Sequence, residues 1–449
     1  MDQTTRKRLT ELGPEALADA LLAVAQRNKA ASEMVESMTS APADNVNRLR
    51  ARIRALAGHR EFVDWRGAPA YAGELVGLLD QIRLGVDDPK TGADLVAAFY
   101  EADDGVFSSC DDSDGDIGEV FRCDAKDAFV QFARGCEDKQ WLAGRVLELN
   151  RDDPYGVRDA LIACATEYLP EPVVRSLVAR MQQLAVSAGA ESDRRHWHIR
   201  IGLLARQIRD PRLFEQARIA SWPALSAAAC ADIAQAYLES GDAEMALSWL
   251  TRVDKGETFQ AYERDRLLLA TYGKLGRKEE QAEVAWRLFR RGRSEESLRE
   301  LLAVIGAARR DSVIEQETRT IMATREFSPS DAEFLVKAGR IDEAEAYVLD
   351  RVSQLNGAFY GDLLALAEPM ASEGRRLAAT LLYRALLDSI LERARAKAYH
   401  HGVDYLRELD RLACAIADWR GHEPHAEYRA RLRTEHGRKK SFWGPYERK

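Results

Sequence analysis

The chain has 449 residues, of which 46% are hydrophobic and 31% charged, with a formal net charge of −8. That balance excludes a disordered chain and leaves room for two or three ordinary domains or one long helical array. The modest negative charge argues against a mainly electrostatic nucleic-acid binder, and without eighteen consecutive apolar residues no membrane span is expected.

The N-terminal residues lead into an amphipathic stretch rather than an apolar one, so no signal peptide is expected. Helix-period patterning predicts helices over 14–38, 44–58, 68–84, 90–104, 117–135, 138–149, 155–168 and 171–189, and another from Arg194 to about Ile208. Prolines at 14, 42, 69, 89, 154, 170, 211, 223, 329, 369 and 424 fall at plausible helix starts or breaks. Asp44 and Ser328 have the chemistry of N-caps. Cys230, Ile233, Ala234, Tyr237 and Leu238 follow the i, i+3, i+4, i+7, i+8 spacing of one apolar stripe. Alternating β-branched runs are almost absent, which points to an all-α chain.

Gly241, Gly276, Gly306, Gly339 and Gly374 lie 35, 30, 33 and 35 residues apart, the range of tetratricopeptide-like helix–turn–helix units. A tight turn between antiparallel helices favours glycine, and the second helix needs a small residue where it crosses the first. Ala246, Ala344 and Ala379 each lie five residues after their glycine. Ala282 comes one residue late after Gly276, and Asp311 takes the place after Gly306, so those two units are degenerate. Further on, 375–412 is helical, and the tail from His425 is helical and turns basic. The expected architecture is an irregular helical region over 1–220, then a tetratricopeptide-like α-solenoid over 221–449 ending in a basic helix.

Several segments resemble a known family. These are Phe62-Val63-Asp64-Trp65-Arg66, the stretch Asp111-Asp112-Ser113-Asp114-Gly115-Asp116-Ile117-Gly118, Asp152-Asp153-Pro154-Tyr155-Gly156-Val157-Arg158-Asp159, Ala378 through Ala385, and Arg393 through His401. As a set they resemble the uncharacterised bacterial domain-of-unknown-function family 6880, over nearly the whole chain. The stretch from Tyr428 to Phe442 is similar to the tail of SWIM zinc-finger proteins, whose helical repeat region has a similar character. The CxC and CxH of that finger are missing, so no zinc-finger activity is implied. The resemblance implies a helical repeat fold and no particular chemistry.

Candidate sites are few. Asp112, Asp114 and Asp116 alternate, which can aim oxygens at a hard cation, but the EF-hand pattern fails because Ile117 and Cys123 occupy its sixth and twelfth positions. The structural alternative is a helix start, with Ser113 or Asp114 as cap and Gly115 in the turn. Asp152 and Asp153 form a second acidic turn, explained by Pro154 at a helix start. If the two loops met, their carboxylates would allow hydrolytic chemistry. His196 and His198 flank Trp197, His400 and His401 are adjacent, and His422 and His425 straddle Pro424, none completing a zinc site. Cysteines 110, 123, 136, 164, 230 and 414 are scattered without CxxC, which suits buried thiols in a reducing, cytoplasmic setting. Arg438, Lys439 and Lys440, with Arg429, Arg431 and Arg433, would contact phosphate if the tail met nucleic acid; the alternative is a solvated helix end.

No phosphate loop, nucleophile elbow or zincin motif is present, and no cofactor is expected. The leading expectation is a non-enzymatic scaffold that holds a protein partner on its repeat surface, with Tyr237, Arg266 and Tyr272 as candidate contacts and the core as the alternative place for both tyrosines. The other expectation is a metal- or small-ligand-binding protein built on the acidic loop. The sequence sets no oligomeric state.

Overall fold

A computed structural model describes residues 3–58, 61–222, 224–253 and 260–448. The fold is all-α, and the β pairing among the described residues is one isolated parallel bridge between Val63 and Cys110. Two compact units divide the chain, Met1–Phe259 and Gln260–Lys449. The hairpin turning at Gly241 therefore belongs to the first unit, although a boundary at 220/221 groups it with the later repeats. Among the described residues no helix is long and apolar enough to cross a membrane.

The repeat is built on one backbone device. Gly241, Gly276, Gly339 and Gly374 have φ of 94°, 69°, 77° and 77°. After each, the next amide reaches back five residues: Asp242 to the Tyr237 carbonyl at 2.9 Å, Arg277 to Tyr272 at 3.0 Å, Arg340 to Leu335 at 2.8 Å and Arg375 to Met370 at 2.7 Å. This is the Schellman closure, which satisfies orphan carbonyls of the first helix and reverses the chain. It joins Ala227–Ser240 to Ala243–Leu250, Ala261–Leu275 to Lys278–Arg291, Pro329–Lys337 to Ile341–Leu349, and Tyr360–Ser372 to Arg376–Glu392. Gly306 differs, with φ 105° and ψ 131°, and opens a short 3₁₀ turn before Arg310–Ala323. The small residues do what close helix crossing requires, since Ala246, Ala344 and Ala379 are fully buried.

The same closure occurs twice without glycine. Arg209 has φ 54°, and the Asp210 amide reaches the Ala205 carbonyl at 2.9 Å; Ala394 has φ 50°, and the Arg395 amide reaches Ile390 at 3.2 Å. The first makes Glu191–Gln207 and Pro211–Ser221 a further hairpin, which extends the repeats toward the N-terminus. Asp210 and Asp242 also cap the next helix alike, each accepting at 3.0 Å from the amide three residues on.

Packing follows the apolar stripes. Cys230, Ile233, Ala234, Tyr237 and Leu238 are all buried. Phe99, Tyr100, Phe121 and Phe129 centre the first unit's core, and Phe289, Phe334, Tyr347 and Phe442 the second's. Burying such a side chain stabilises by roughly 1.5–3 kcal/mol.

Several predicted elements are adjusted. The 14–38 helix is two, Pro14–Ala25 and Lys29–Thr39, because Asn28 caps the second through the Ala31 amide at 3.1 Å. The 155–168 helix shrinks to Asp159–Ala163 and a 3₁₀ turn, and 375–412 breaks at Ala394. The 117–135 helix contains a π segment, Val120–Ala125, where the buried Tyr100 hydroxyl donates to the Phe121 carbonyl at 2.6 Å. Asp44 sits inside the first turn of Pro42–Leu56 rather than at its cap, while Ser328 does cap its helix, accepting from the Asp331 amide at 3.3 Å. Pro369 lies within Tyr360–Ser372, in its last turn, and Pro223 lies outside the described residues.

An L-residue in the left-handed region costs roughly 1–2 kcal/mol that glycine avoids, partly offset by glycine's greater unfolded entropy. Ala394→Gly is therefore expected to stabilise the protein by about 0.5–1 kcal/mol. Gly374→Ala, which meets nothing within 4 Å and so pays only the backbone term, is expected to destabilise it by about 1 kcal/mol. Urea midpoints of the two variants check both signs.

Candidate functional site

In the first unit the acidic loop closes on itself. Gly115 takes φ 82°, and the chain turns so that Asp112, rather than Ser113 or Asp114, caps the helix beginning at Asp116. Its Oδ1 accepts from the Ile117 amide at 2.8 Å and its Oδ2 from the Gly118 amide at 2.9 Å. Both oxygens of Asp112 are thus spent on first-turn amides, where the helix end favours negative charge. Asp111 accepts from the Ser113 amide at 3.1 Å, Asp114 is exposed and Asp116 half-buried. Among the described residues no group of three or more His, Cys, Asp or Glu side chains is placed to hold a metal ion.

Three of the motif segments converge here. The Val63 amide donates to the Ser109 carbonyl and the Asp111 amide to the Val63 carbonyl, both at 2.9 Å, so Phe62-Val63-Asp64-Trp65-Arg66 is laid against the start of the acidic loop. Phe62 and Trp65 remain exposed, and Arg66 lies 5.0 Å from the Trp65 ring. The short helix Asp103–Ser108 feeds the loop, and Phe107 stacks on Tyr155 of the second acidic turn at 4.5 Å. The two turns are therefore joined through this helix, with their carboxylates engaged separately.

The second turn holds a buried ionic network that sequence reasoning only half found. Arg158 grips Asp103 with two nitrogens, Nε to Oδ2 at 2.8 Å and Nη2 to Oδ1 at 2.6 Å, while its Nη1 donates to the carbonyls of Leu149 and Asp152. Asp153 accepts from the amides of Val157 and Arg158 and from Arg200. Arg200 also donates to Asn150 Oδ1 at 2.9 Å, and His196 Nε2 lies 3.1 Å from the Asn150 carbonyl. Asp103, Asn150 and Arg200 were not singled out from sequence. The available signal was Arg200 on the same helical face as Trp197, Ile201 and Leu204, all buried. Asp159 is the strained member. Its Oδ1 lies 2.5 Å from Arg200 Nη2 but off the hydrogen-bonding direction, and burial raises its carboxyl pKa against the pull of the Arg200 charge. This arrangement locks a turn through Asp103, Asp153, Arg158 and Arg200.

In the second unit, helices Ala261–Leu275, Lys278–Arg291 and Glu295–Ile305 form a groove of about 420 Å³, lined by Tyr262, Arg266, Leu269, Phe289, Ser297 and Leu301 among others. Arg266 on Ala261–Leu275 pairs with Glu300 on Glu295–Ile305 at 2.6 Å, tying one repeat to the next. Tyr262 is half exposed at its edge. Tyr272 is half-buried and outside that lining. Tyr237, in the first unit, is 3% exposed, with its hydroxyl donating to Glu215, so it is a core residue.

Much of the basic tail is neutralised locally. Arg429 pairs with Asp410, Arg431 with Glu423 and Glu435, and Arg433 with Glu447. Lys439 donates to the Leu391 carbonyl, leaving Arg438 and Lys440 exposed. His425 binds Asp410 at 2.8 Å, and the rings of His400 and His401 lie 3.9 Å apart. Cys123 and Cys414 are exposed rather than buried.

These features define an all-α helical-repeat protein with a groove between helices of its second unit and a locked polar turn. The chain belongs to the family described as Family of unknown function (DUF6880), whose model matches residues 3–223 and 216–445. Comparison with curated proteins gave no match. A solved circular tandem repeat protein with novel repeat topology and enhanced subunit contact surfaces is similar over 96% of this chain and 94% of its own, at 14% identity. Its TM-score of 0.12 is too low for the likeness to bear on the fold.

Two predictions follow from the geometry. Asp112→Ala loses two caps and is expected to cost about 1–2 kcal/mol, by the same amount with or without added Mg²⁺, Mn²⁺ or Ca²⁺, as read from melting curves. For Asp159, a carboxyl raised in the folded state binds its proton more tightly than in the unfolded chain. It therefore adds stability at low pH that is lost as pH rises from its ordinary value of 3.8 through the raised one. Asp159→Asn removes this falling component, so its stability relative to wild type should rise between about pH 4 and pH 7 in urea titrations.

Proposed function

We propose that this protein is a non-enzymatic adaptor that holds a segment of a partner protein, a helix or an extended peptide, in the groove along Arg266. The supporting observation is the groove itself. It is lined by residues of three consecutive helices, with an exposed aromatic at its edge and a charge pair, Arg266 with Glu300, at its wall. Stacked helix pairs present such surfaces to ligands, and a half-exposed tyrosine supplies contact area at low entropic cost. The cysteines of the described structure are free thiols, which suits a reducing compartment such as the cytoplasm.

The test compares wild-type protein with Arg266→Glu and Tyr262→Ala as baits in native lysate. A stoichiometric partner should be retained by wild type and reduced at least about tenfold by Arg266→Glu, with the circular dichroism spectrum unchanged. Failure of wild type to retain any stoichiometric protein, or equal retention by both variants, overturns the reading.

A further inference from the structure

A second groove of the same unit has a different character. It encloses about 600 Å³ between the segment 352–357, helix Arg376–Glu392 and helix His425–His436. Arg384, from the motif segment Ala378–Ala385, lines it and is only 5% exposed. Its Nη1 donates to the Glu423 carbonyl at 2.7 Å, but Nε and Nη2 are buried with no hydrogen-bond partner.

The other buried arginines show how this chain normally treats such a group. Arg158 spends its Nε and Nη2 on the two oxygens of Asp103. Arg200 uses the same nitrogens on Asn150 and Asp153. Arg351 leaves its Nε without a partner but directs both terminal nitrogens to the carbonyls of Tyr347, Met322 and Thr324. Nε and Nη2 form the guanidinium edge that matches a two-oxygen anion. On Arg384 that edge is unmet and closed to solvent, at the wall of a groove of ligand size.

The acids lining the groove do not meet it. Glu423 is held by Arg431 at 3.3 Å, Asp388 accepts the Tyr428 hydroxyl at 2.8 Å, and Glu392 is exposed. Aromatic faces cover the guanidinium instead: its carbon lies 4.4 Å from the Tyr428 ring centroid and 5.1 Å from that of Trp419. Such contacts stabilise a cation without supplying hydrogen-bond acceptors. Tyr428 is fully buried and anchored through Asp388. Trp419 is only half-buried, on the non-helical segment with Arg420 at φ 48° and Gly421 at φ 79°.

We propose that this groove binds a small anionic ligand, through a carboxylate or a phosphate received on the Nε–Nη2 edge of Arg384, with Trp419 as the ring that moves aside to admit it. The proposed binding is a capture and includes no chemical step.

The test is isothermal titration of the full chain with inorganic phosphate and, separately, with succinate, at constant ionic strength set by chloride. Saturable binding of either probe is expected, and which one binds distinguishes phosphate from carboxylate. Arg384→Lys, which keeps the charge but loses the forked edge, should weaken binding at least about tenfold. Ser353→Glu places a negative charge at the exposed lip, far from the core, and should weaken binding while leaving the melting temperature unchanged. Binding that is undiminished in both variants, or no saturable binding of either probe to wild type, overturns the proposal. Loss of the pull-down partner in Arg266→Glu is a separate outcome, because that residue lines the other groove.

Discussion

The fold depends on one recurrent constraint, a single residue held at positive φ between two antiparallel helices. An α-helix ends with carbonyls that have no partner within it, and the cheapest way to satisfy them while reversing direction is a left-handed residue followed by a back-reaching amide. At Gly241, Gly276, Gly339 and Gly374 the chain does this with the same bond, between the residue after the glycine and the one four before it. The direction of every second helix is set there. The buried alanine five residues later lets the two helices lie close enough to share a core.

Charged groups fix what the turns leave open. Apolar stripes tolerate some sliding of one helix against another, whereas a buried carboxylate and a guanidinium meet in one geometry. Glu317, fully buried, is gripped by Arg290 and Arg293, and Arg293 also reaches Asp331, so helices Lys278–Arg291, Arg310–Ala323 and Pro329–Lys337 of the second unit are pinned by one cluster. In the first unit Arg158 with Asp103, and Arg200 with Asp153, pin a proline turn that has little apolar surface of its own. Such pairs add modestly to net stability because desolvation offsets attraction, but losing one partner strands a charge, which makes the arrangement specific.

Much of this was legible in the sequence, and the illegible part has physical reasons. Glycine spacing revealed the repeats because glycine is the residue that takes positive φ without cost. Arg209 and Ala394 adopt the same conformation and left no mark, so the hairpin at Arg209 stayed hidden and a helix was drawn through Ala394. The acidic loop looked like a ligand cluster because alternation of aspartates is visible in sequence. Its actual role rests on Gly115 folding Asp112 back onto two amides, a matter of backbone path. Arg200 and Asp103 were missed because their partnership spans elements far apart in the chain.

The grooves differ from these interior clusters in one respect that bears on function. Inside the cores, charged side chains find partners supplied by the chain itself, and the geometry is closed. At Arg266 the pair with Glu300 is half-exposed, so a partner's side chain can exchange with it at little desolvation cost. At Arg384 the desolvation has already been borne in folding, and the hydrogen bonds that would offset it are not supplied by the chain. A ligand anion completing them would face less of the usual penalty for dehydrating its receptor, because one member of the pair is already dry. The polar surface suited to exchange and the dry cation suited to capture thus occur on different repeats of the second unit, each shaped by whether its charge was matched within the fold.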